Sequence, residues 1–132
     1  MTNQSQTFVS VVMATHNHES YVSEAIRSVL SQTHTNFELI IVNDNSTDTS
    51  AEIISQFAKD DERIVCITND QNLRQSESRN KAIQASKGEY IAIVDSDDIS
   101  LPDRITRQLD YFSAHPDCDV LGSSFCLFFD VK

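Results

Sequence analysis

Short apolar runs alternate along the chain with longer segments whose apolar residues recur at helical spacing. The short runs are rich in valine and isoleucine and have the length of strands buried within a sheet. Four strands are predicted on this pattern, at residues 8–14, 37–42, 64–68 and 90–94. Helices are predicted after them, at residues 19–32, around 50–58, from 76 and from 102. The alternation indicates β-α-β units, right-handed crossovers and an α/β fold with a mostly parallel sheet flanked by helices.

Local signals predict where several of these elements begin and end. Thr49 and Glu52 have the spacing of a capping box at the start of the second helix. Gly88 suits the position just after the third helix, and Pro102 suits the first turn of the fourth. Residues 120–131 are a last apolar stretch, which we expect to be an edge strand.

Composition bounds the class of protein. With 132 residues, 39% of them hydrophobic, the chain is long enough for one domain and too short for two. A formal net charge of −10 argues against nucleic-acid binding, which requires a basic surface. The apolar run at residues 8–14 is too short for a signal peptide or a membrane span. Cys66 and Cys126 lie in apolar runs, so we expect buried free thiols and a reducing, cytoplasmic location.

Polar residues follow three of the predicted strands at the point where each strand ends. They are His16 and Asn17 after the first strand, residues 43–45 after the second, and residues 95–98 after the fourth. In a parallel α/β sheet, ligands bind beyond the carboxyl ends of the strands, near the point where strand order reverses. If the first strand is central, with the second and fourth beside it, the clusters converge on one cleft.

Asp95, Asp97 and Asp98 place three carboxylates within four residues. Their charges repel one another, and a hard divalent cation such as Mg²⁺ or Mn²⁺ relieves that repulsion. Because Mg²⁺ commonly completes its coordination with substrate phosphates, the cluster indicates a metal bound together with a phosphorylated ligand. An acidic surface loop that caps the next helix is the alternative, and for an isolated motif of this kind it is the commoner explanation.

Three further residues have both a functional and a structural interpretation. Asp44 suits a nucleobase N–H as an acceptor, but an Asx turn or helix N-cap accounts for it about equally well. His16 offers a flat ring for stacking on a base, or is an ordinary turn histidine. Arg79, on the third helix, reaches a phosphate, pairs with an aspartate, or is a solvated helix residue. The first strand is followed by no glycine-rich phosphate loop, so a diphosphate would need another partner.

Four blocks of the sequence together resemble the family 2 glycosyltransferases, which have the nucleotide-sugar-binding A-type fold. The resemblance extends from about residue 8 to residue 129. It implies a Rossmann-like, mostly parallel sheet flanked by helices, truncated to a single nucleotide-sugar-binding domain at residues 1–132 that lacks the acceptor half. The blocks lie at residues 28–32 (SVLSQ), 37–48 (FELIIVNDNSTD), 78–80 (SRN) and 88–98 (GEYIAIVDSDD).

The resemblance also assigns roles to individual residues. Residues 14–17 occupy the place of a turn whose aromatic residue stacks on uracil or another base, so His16 takes that role. Asp44 falls on an aspartate that accepts from the base, and Arg79 on an arginine near the donor. The implied nucleotide-binding residues are Thr15, His16, Asn17, Asp44, Arg79, Ser96 and Asp97. The implied ligands of Mn²⁺ or Mg²⁺ are Asp97 and Asp98, with Asp95 as a further member of the acidic motif.

The activity implied by the resemblance is metal-assisted, inverting transfer of a sugar from a nucleoside-diphosphate sugar, most often a UDP-sugar. The implied acceptor is an unidentified saccharide or lipid-linked molecule. The family as a whole suggests a role in polysaccharide synthesis. Membrane association of a longer parent chain stays open. Asp117, Asp119 and Asp130 lack the sequence context of the family's catalytic base, so we expect that base beyond Lys132.

The chain departs from the family pattern near the base and the ribose. Ala14 replaces the usual proline, His16 the usual tyrosine, and Asn43 the first aspartate of a common pair. Arg74 stands where glycine is common. These changes weaken the negative field around the base and alter the loop near the ribose, but they leave the implied metal ligands in place.

A catalytically incomplete nucleotide-binding or interaction module is the alternative to an active transferase. Residues 125–129 (FCLFF) are the candidate surface for self-association into a homodimer. Two other classes fit less well. A sugar-nucleotide pyrophosphorylase requires a glycine-rich phosphate loop after the first strand, and a receiver domain requires paired acids there.

Overall fold

Strands and helices alternate along the part of the chain that the structure, a computed structural model, describes, which is residues 6–127. The strands are β1 (Val9–Thr15), β2 (Phe37–Asn43), β3 (Ile64–Thr68) and β4 (Tyr90–Ile93). The helices are α1 (Val22–Leu30), α2 (Ser50–Asp60), α3 (Arg74–Ala85) and α4 (Arg104–Ala114). No helix within the described range has the length and apolar content needed to cross a bilayer.

The strands form one parallel sheet with the order β3-β2-β1-β4. Val11 is paired with Leu39 of β2 on one side and with Ala92 of β4 on the other. The prediction of a parallel sheet with a central first strand is therefore confirmed. The strand order reverses at β1, since the chain first adds β2 and β3 on one side and then crosses to β4.

The core lies on both faces of β1 and β2, which are apolar almost throughout because both strands are interior. Alternate side chains point to opposite faces. Val11 and Leu39 belong to the larger cluster, which includes buried residues of α1, α2 and α4. Val12 and Ile40 belong to the smaller cluster, which is closed by Ala82 of α3. The sheet is thus held between two helical layers.

The expectation that β4 is buried on both faces is wrong. Tyr90, Ile91 and Ile93 are 37%, 43% and 44% exposed, because β4 pairs only with β1 within the described residues. The predicted edge strand at 120–131 is not formed over residues 120–127, and its remainder lies outside the described residues. Phe125 and Leu127 of the candidate self-association surface are well exposed.

The prediction of buried thiols is also wrong, since Cys66 and Cys126 are both exposed. Cys66 lies on β3, the other edge of the sheet, where one side of the strand has no partner in the described range. An apolar run was therefore not enough to identify a buried position. What remains confirmed is that the cysteines of this part of the chain are free.

The predicted capping box at α2 is not formed. The hydroxyl and amide of Thr49 donate to the Glu19 carboxylate at 2.7 and 3.0 Å, so that hydroxyl turns away from its own helix. The Ser50 amide instead donates to the Asp48 carboxylate at 2.9 Å. Pro102 was also misplaced, because it precedes Asp103, the N-cap of α4, and is not in the first turn.

Gly88 does not end α3, as its sequence position suggested. The helix ends at Ala85, and Ser86 is an extended C-cap. Gly88 instead lies where the chain approaches β1 before entering β4, and its amide donates to the Ser10 hydroxyl at 2.8 Å. A Cβ at this position would lie 2.4 Å from the Ser10 nitrogen. Glycine is required here by the close approach of two backbones.

Replacing Gly88 with alanine is expected to lower the free energy of unfolding by about 1–3 kcal/mol, because backbone atoms of β1 must move to admit the methyl group. Gly122→Ala is the matched control, since a Cβ there would meet no atom within 4 Å. That control should change stability by less than about 0.5 kcal/mol. Urea unfolding followed by circular dichroism measures the stability of both variants. Equal losses of stability would contradict the close backbone approach at Gly88.

Candidate functional site

The polar loops that follow β1, β2 and β4 meet at the carboxyl edge of the sheet, as expected from the strand order. The Asp44 amide donates to the Thr15 carbonyl at 2.8 Å, which continues the pairing of β1 with β2. His16 Nδ1 donates to the Asp44 carbonyl oxygen at 2.8 Å. On the other side of β1, the Val94 amide donates to the Val12 carbonyl at 3.1 Å and leads into the acidic residues. The arrangement forms the crevice in which sheets of this type bind ligands.

The loop after β1 is held in a fixed shape by hydrogen bonds across the cleft. Asn17 has a positive φ of 53°, an uncommon conformation that asparagine tolerates. Its side-chain oxygen accepts from the Thr47 amide at 2.8 Å, and its own amide donates to the Ser46 hydroxyl at 3.1 Å. Asn17 therefore shapes the loop that presents the exposed ring of His16.

His16 is anchored through both ring nitrogens. Nδ1 bonds the Asp44 carbonyl, and Nε2 lies 3.3 and 3.2 Å from the side-chain amides of Asn17 and Asn72. Thr15, directly before it, is buried, and its hydroxyl has no hydrogen-bond partner within residues 6–127. The histidine is thus positioned at the rim of the cleft, while Thr15 forms part of its floor.

Asp44 is almost fully buried, with 2% of its surface exposed. Its Oδ1 accepts from the Asn69 side-chain amide and from the Leu73 backbone amide, both at 2.8 Å. Leu73 is the N-cap of α3, so the carboxylate lies at the positive end of that helix. Burial alone would raise the pKa of Asp44, but the hydrogen bonds from Leu73 and Asn69 outweigh it and lower the pKa. Asp44 therefore organises one wall of the cleft as a carboxylate.

Asn69, which the sequence analysis did not single out, links Asp44 to α3. It is 2% exposed, and its amide donates to Asp44 and to the Ser78 hydroxyl, while its oxygen accepts from Lys81 Nζ at 2.7 Å. Asn69 follows the carboxyl end of β3 directly. The rule that identified the other three clusters, a polar residue at the end of a strand, would have found it.

The acidic residues occupy a tight turn, residues 95–98, in which the Asp98 amide donates to the Asp95 carbonyl at 3.1 Å. Asp95 is half-buried and forms an ion pair with Arg79 at 2.8 Å. Among the interpretations left open for Arg79, the structure therefore has the pairing with an aspartate. Asp97 and Asp98 are exposed, so their carboxylates are available to a ligand.

Ser96, inside the acidic turn, is 1% exposed, and its hydroxyl shares a hydrogen bond of 2.6 Å with His18 Nδ1. The His18 backbone amide donates to the Ser50 hydroxyl at 3.1 Å, so the histidine is itself anchored at the start of α2. This contact joins the loop after β1 to the loop after β4. His18 was not predicted as a site residue, and nothing in the sequence signals a contact across 78 positions.

The carboxylates of the acidic turn repel one another, and a bound cation would reduce that repulsion. Burial and the charges of Asp97 and Asp95 raise the pKa of Asp98, and Arg104 opposes that rise. No group of three potential metal-ligating side chains occurs within residues 6–127. The donor set nevertheless fits Mg²⁺ or Mn²⁺, which accept one or two carboxylates and take their remaining ligands from water and phosphate. Asp97 and Asp98 are the residues that would supply those carboxylates.

The segment after the acidic turn is clamped to α1 by Ser28 and Gln32. The Ser28 hydroxyl accepts from the Ser100 amide at 3.0 Å. The Gln32 side chain donates to the Leu101 carbonyl at 2.6 Å and accepts from the Ile105 amide of α4 at 3.1 Å. These contacts give a physical reason for the serine and glutamine of the block at residues 28–32.

The chain resembles proteins of one family over nearly its whole length. The family model described as glycosyl transferase family 2 matches residues 10–128. An uncharacterized glycosyltransferase of Methanocaldococcus jannaschii is 47% identical over 117 residues, which are 87% of this chain and 40% of the relative. The chain thus spans about two-fifths of that relative's length.

Solved structures of glycosyltransferases share the fold. S. aureus TarS in complex with UDP-GlcNAc superposes with a TM-score of 0.76 at 27% identity, over 82% of this chain and 32% of that chain. The mannosyltransferase PcManGT from Pyrobaculum calidifontis, in complex with GDP-Man and Mn²⁺, superposes with a TM-score of 0.67 at 21% identity, over 75% of this chain and 30% of that chain. The superpositions confirm the predicted A-type fold.

Proposed function

Because the chain belongs to glycosyl transferase family 2, we propose that its cleft binds the nucleoside-diphosphate part of a sugar donor. The observation that carries the proposal is the convergence of His16, Asp44 and the acidic turn on one edge of the sheet. The His16 ring and the buried Asp44 carboxylate suit the base end of such a ligand. The two exposed carboxylates of the acidic turn suit its diphosphate end. The bound UDP-GlcNAc of TarS supports a UDP-sugar as the first donor to test.

The base end of the donor would lie against the loop after β1. His16 is held by both ring nitrogens, so its ring is available for stacking at little further entropic cost. Asn17 keeps that loop in shape. Asp44 already accepts two hydrogen bonds through Oδ1, so in this proposal it fixes the wall behind the base and offers Oδ2 to a base N–H.

The diphosphate end would lie near the acidic turn, where Asp97 and Asp98 would hold Mn²⁺ or Mg²⁺. The metal, when bound, acts as a Lewis acid that stabilises charge on the departing diphosphate. Asp95 holds Arg79 at the side of the turn, and Ser96 holds the turn against His18. These residues orient the two exposed carboxylates and exclude other conformations of the turn.

The proposed reaction is a direct displacement with inversion. The acceptor hydroxyl attacks the anomeric carbon, the bond from that carbon to the diphosphate oxygen breaks, and the nucleoside diphosphate leaves with the electron pair. The hydroxyl proton passes to a general base. We assign that base to no residue of the described range, where Asp117 and Asp119 are exposed and follow α4.

A catalytically incomplete nucleotide-binding module is the second candidate. It is favoured by the exposed apolar residues of β4 and of the segment after α4, such as Ile91, Ile93 and Phe125. Incubation with UDP-sugars distinguishes the two candidates, since an active transferase releases UDP as the sugar passes to an acceptor or to water, and an incomplete module binds without release.

The proposal is tested by calorimetric titration of the chain with UDP, GDP and UMP, each in MnCl₂ and in EDTA. We expect Mn²⁺ to raise the affinity for the preferred diphosphate by about tenfold or more, equivalent to about 1.4 kcal/mol. The affinity for UMP should change much less, because it lacks the second phosphate. Absence of binding to all three nucleotides, or binding that ignores Mn²⁺, would contradict the proposal.

A further inference from the structure

Arg104, the first residue of α4, donates hydrogen bonds to residues on both sides of the acidic turn. Nη2 donates to the carbonyl of Ile93, the last residue of β4, at 2.9 Å. Nη1 donates to the hydroxyl of Ser100 at 3.2 Å. Ile93 stands two residues before the turn and Ser100 two residues after it. One planar guanidinium therefore links the two segments that flank residues 95–98.

Burying the Arg104 side chain costs free energy, which indicates that the arginine serves a purpose at this position. Arg104 Nε is buried and has no hydrogen-bond partner within residues 6–127. A buried N–H without an acceptor costs about 1–3 kcal/mol.

Arg104 is not needed to dock the segment that follows the turn. Ser28 already holds the Ser100 amide, and Gln32 holds Leu101 and the start of α4. What Arg104 adds is a link from that anchored segment back to the end of β4. It also adds a positive charge next to the segments that flank the acidic turn.

We propose that Arg104 is a positioning residue, which fixes the acidic turn at the end of β4 so that Asp97 and Asp98 face a cation and its diphosphate together. The inference rests on the proposed function, because it concerns how the same site holds its ligand. Arg104 contacts residues that flank the turn and is not assigned a contact with donor or metal.

The test compares the affinity for UDP in MnCl₂ with that in EDTA, expressed as a ratio. Arg104→Gln is expected to lower this ratio by about tenfold, the usual effect of removing a residue that orients a metal ligand, while the EDTA affinity changes less than about twofold. Arg104→Lys keeps the charge and should recover part of the ratio. Arg107→Gln is the matched control, because Arg107 lies on the same helix, is 75% exposed and faces Asp103.

An unchanged ratio in Arg104→Gln would overturn the inference, and so would an equal loss of affinity in both buffers, which indicates a purely structural role. If Arg104→Gln shows no cooperative thermal unfolding, Ser100→Ala replaces it. A lowered ratio in that variant supports the inference, and an unchanged one overturns it. When the wild-type chain itself shows no enhancement by Mn²⁺, the proposed function fails as well. When Mn²⁺ raises the affinity for UDP equally in the wild type and in Arg104→Gln, only the inference about Arg104 fails.

Discussion

Asp98→Ala is expected to lower the affinity for UDP in MnCl₂ by about tenfold or more, and to leave the affinity in EDTA within about twofold. Asp98 is one of two exposed carboxylates in the acidic turn, so its loss leaves a bound cation with Asp97 alone. Calorimetric titration in the two buffers measures the effect. Asp103→Ala is the matched control, since Asp103 lies five residues away and faces Arg107 at 3.6 Å.

The same variant should not be less stable in the absence of metal, which separates loss of binding from loss of folding. The pKa of Asp98 is raised in the folded chain, by burial and by Asp97 and Asp95. A carboxyl group with a raised pKa contributes stability at low pH that is lost as the pH rises through its folded pKa. At pH 7 in EDTA the ionised Asp98 therefore opposes folding, and its removal should raise the unfolding midpoint slightly. A clear fall in that midpoint would contradict this account of the turn.

Asp44→Ala is expected to lower the free energy of unfolding by about 3 kcal/mol, because it leaves the buried amides of Asn69 and Leu73 without an acceptor. Asp44→Asn keeps an oxygen at the same place and should cost clearly less. Chemical unfolding at pH 7 measures both variants. If alanine and asparagine had equal, small effects, the carboxylate would not be organising the wall of the cleft.

The cost of Asp44→Ala should also depend on pH in a defined direction. Hydrogen bonds lower the pKa of Asp44 below its ordinary value of 3.8, so its contribution to stability is complete above that value. The contribution is lost as the pH falls through the lower, folded pKa. The stability difference between wild type and the variant should therefore narrow below about pH 3.8 and stay constant between pH 5 and 7.

Much of the fold was predictable because strands and helices carry periodic signals. Interior β1 and β2 are apolar almost throughout, and their positions were predicted to within one residue. The predictions failed for β4 and for Cys66, where an apolar run lies at the edge of the sheet. An apolar run reports strand propensity, whereas exposure depends on which neighbours the strand finds. Gly88 failed for a related reason, since its role is set by contact with a strand far away in sequence.

The candidate site was predictable where its residues follow a strand directly, and Asp44 and the acidic turn are examples. The supporting residues were not, because their contacts join distant parts of the chain. His18 reaches Ser96, Gln32 reaches Ile105 and Arg104 reaches back to Ile93. Each is an ordinary residue in its local sequence. Only the three-dimensional arrangement distinguishes a residue that orients the site from one that is solvated on a helix.

The central claim is that the cleft at the carboxyl edge of β1, β2 and β4 holds a cation and a nucleotide together. It is tested most directly by NMR of the ¹⁵N-labelled chain with UDP, comparing Mn²⁺ with Mg²⁺ as the diamagnetic reference. Paramagnetic broadening should centre on the amides of residues 95–98 and extend to His16, while Glu38 and Lys87, which share a hydrogen bond at the opposite edge, stay sharp. Broadening centred elsewhere, for example on the acidic end of α2, would contradict the account.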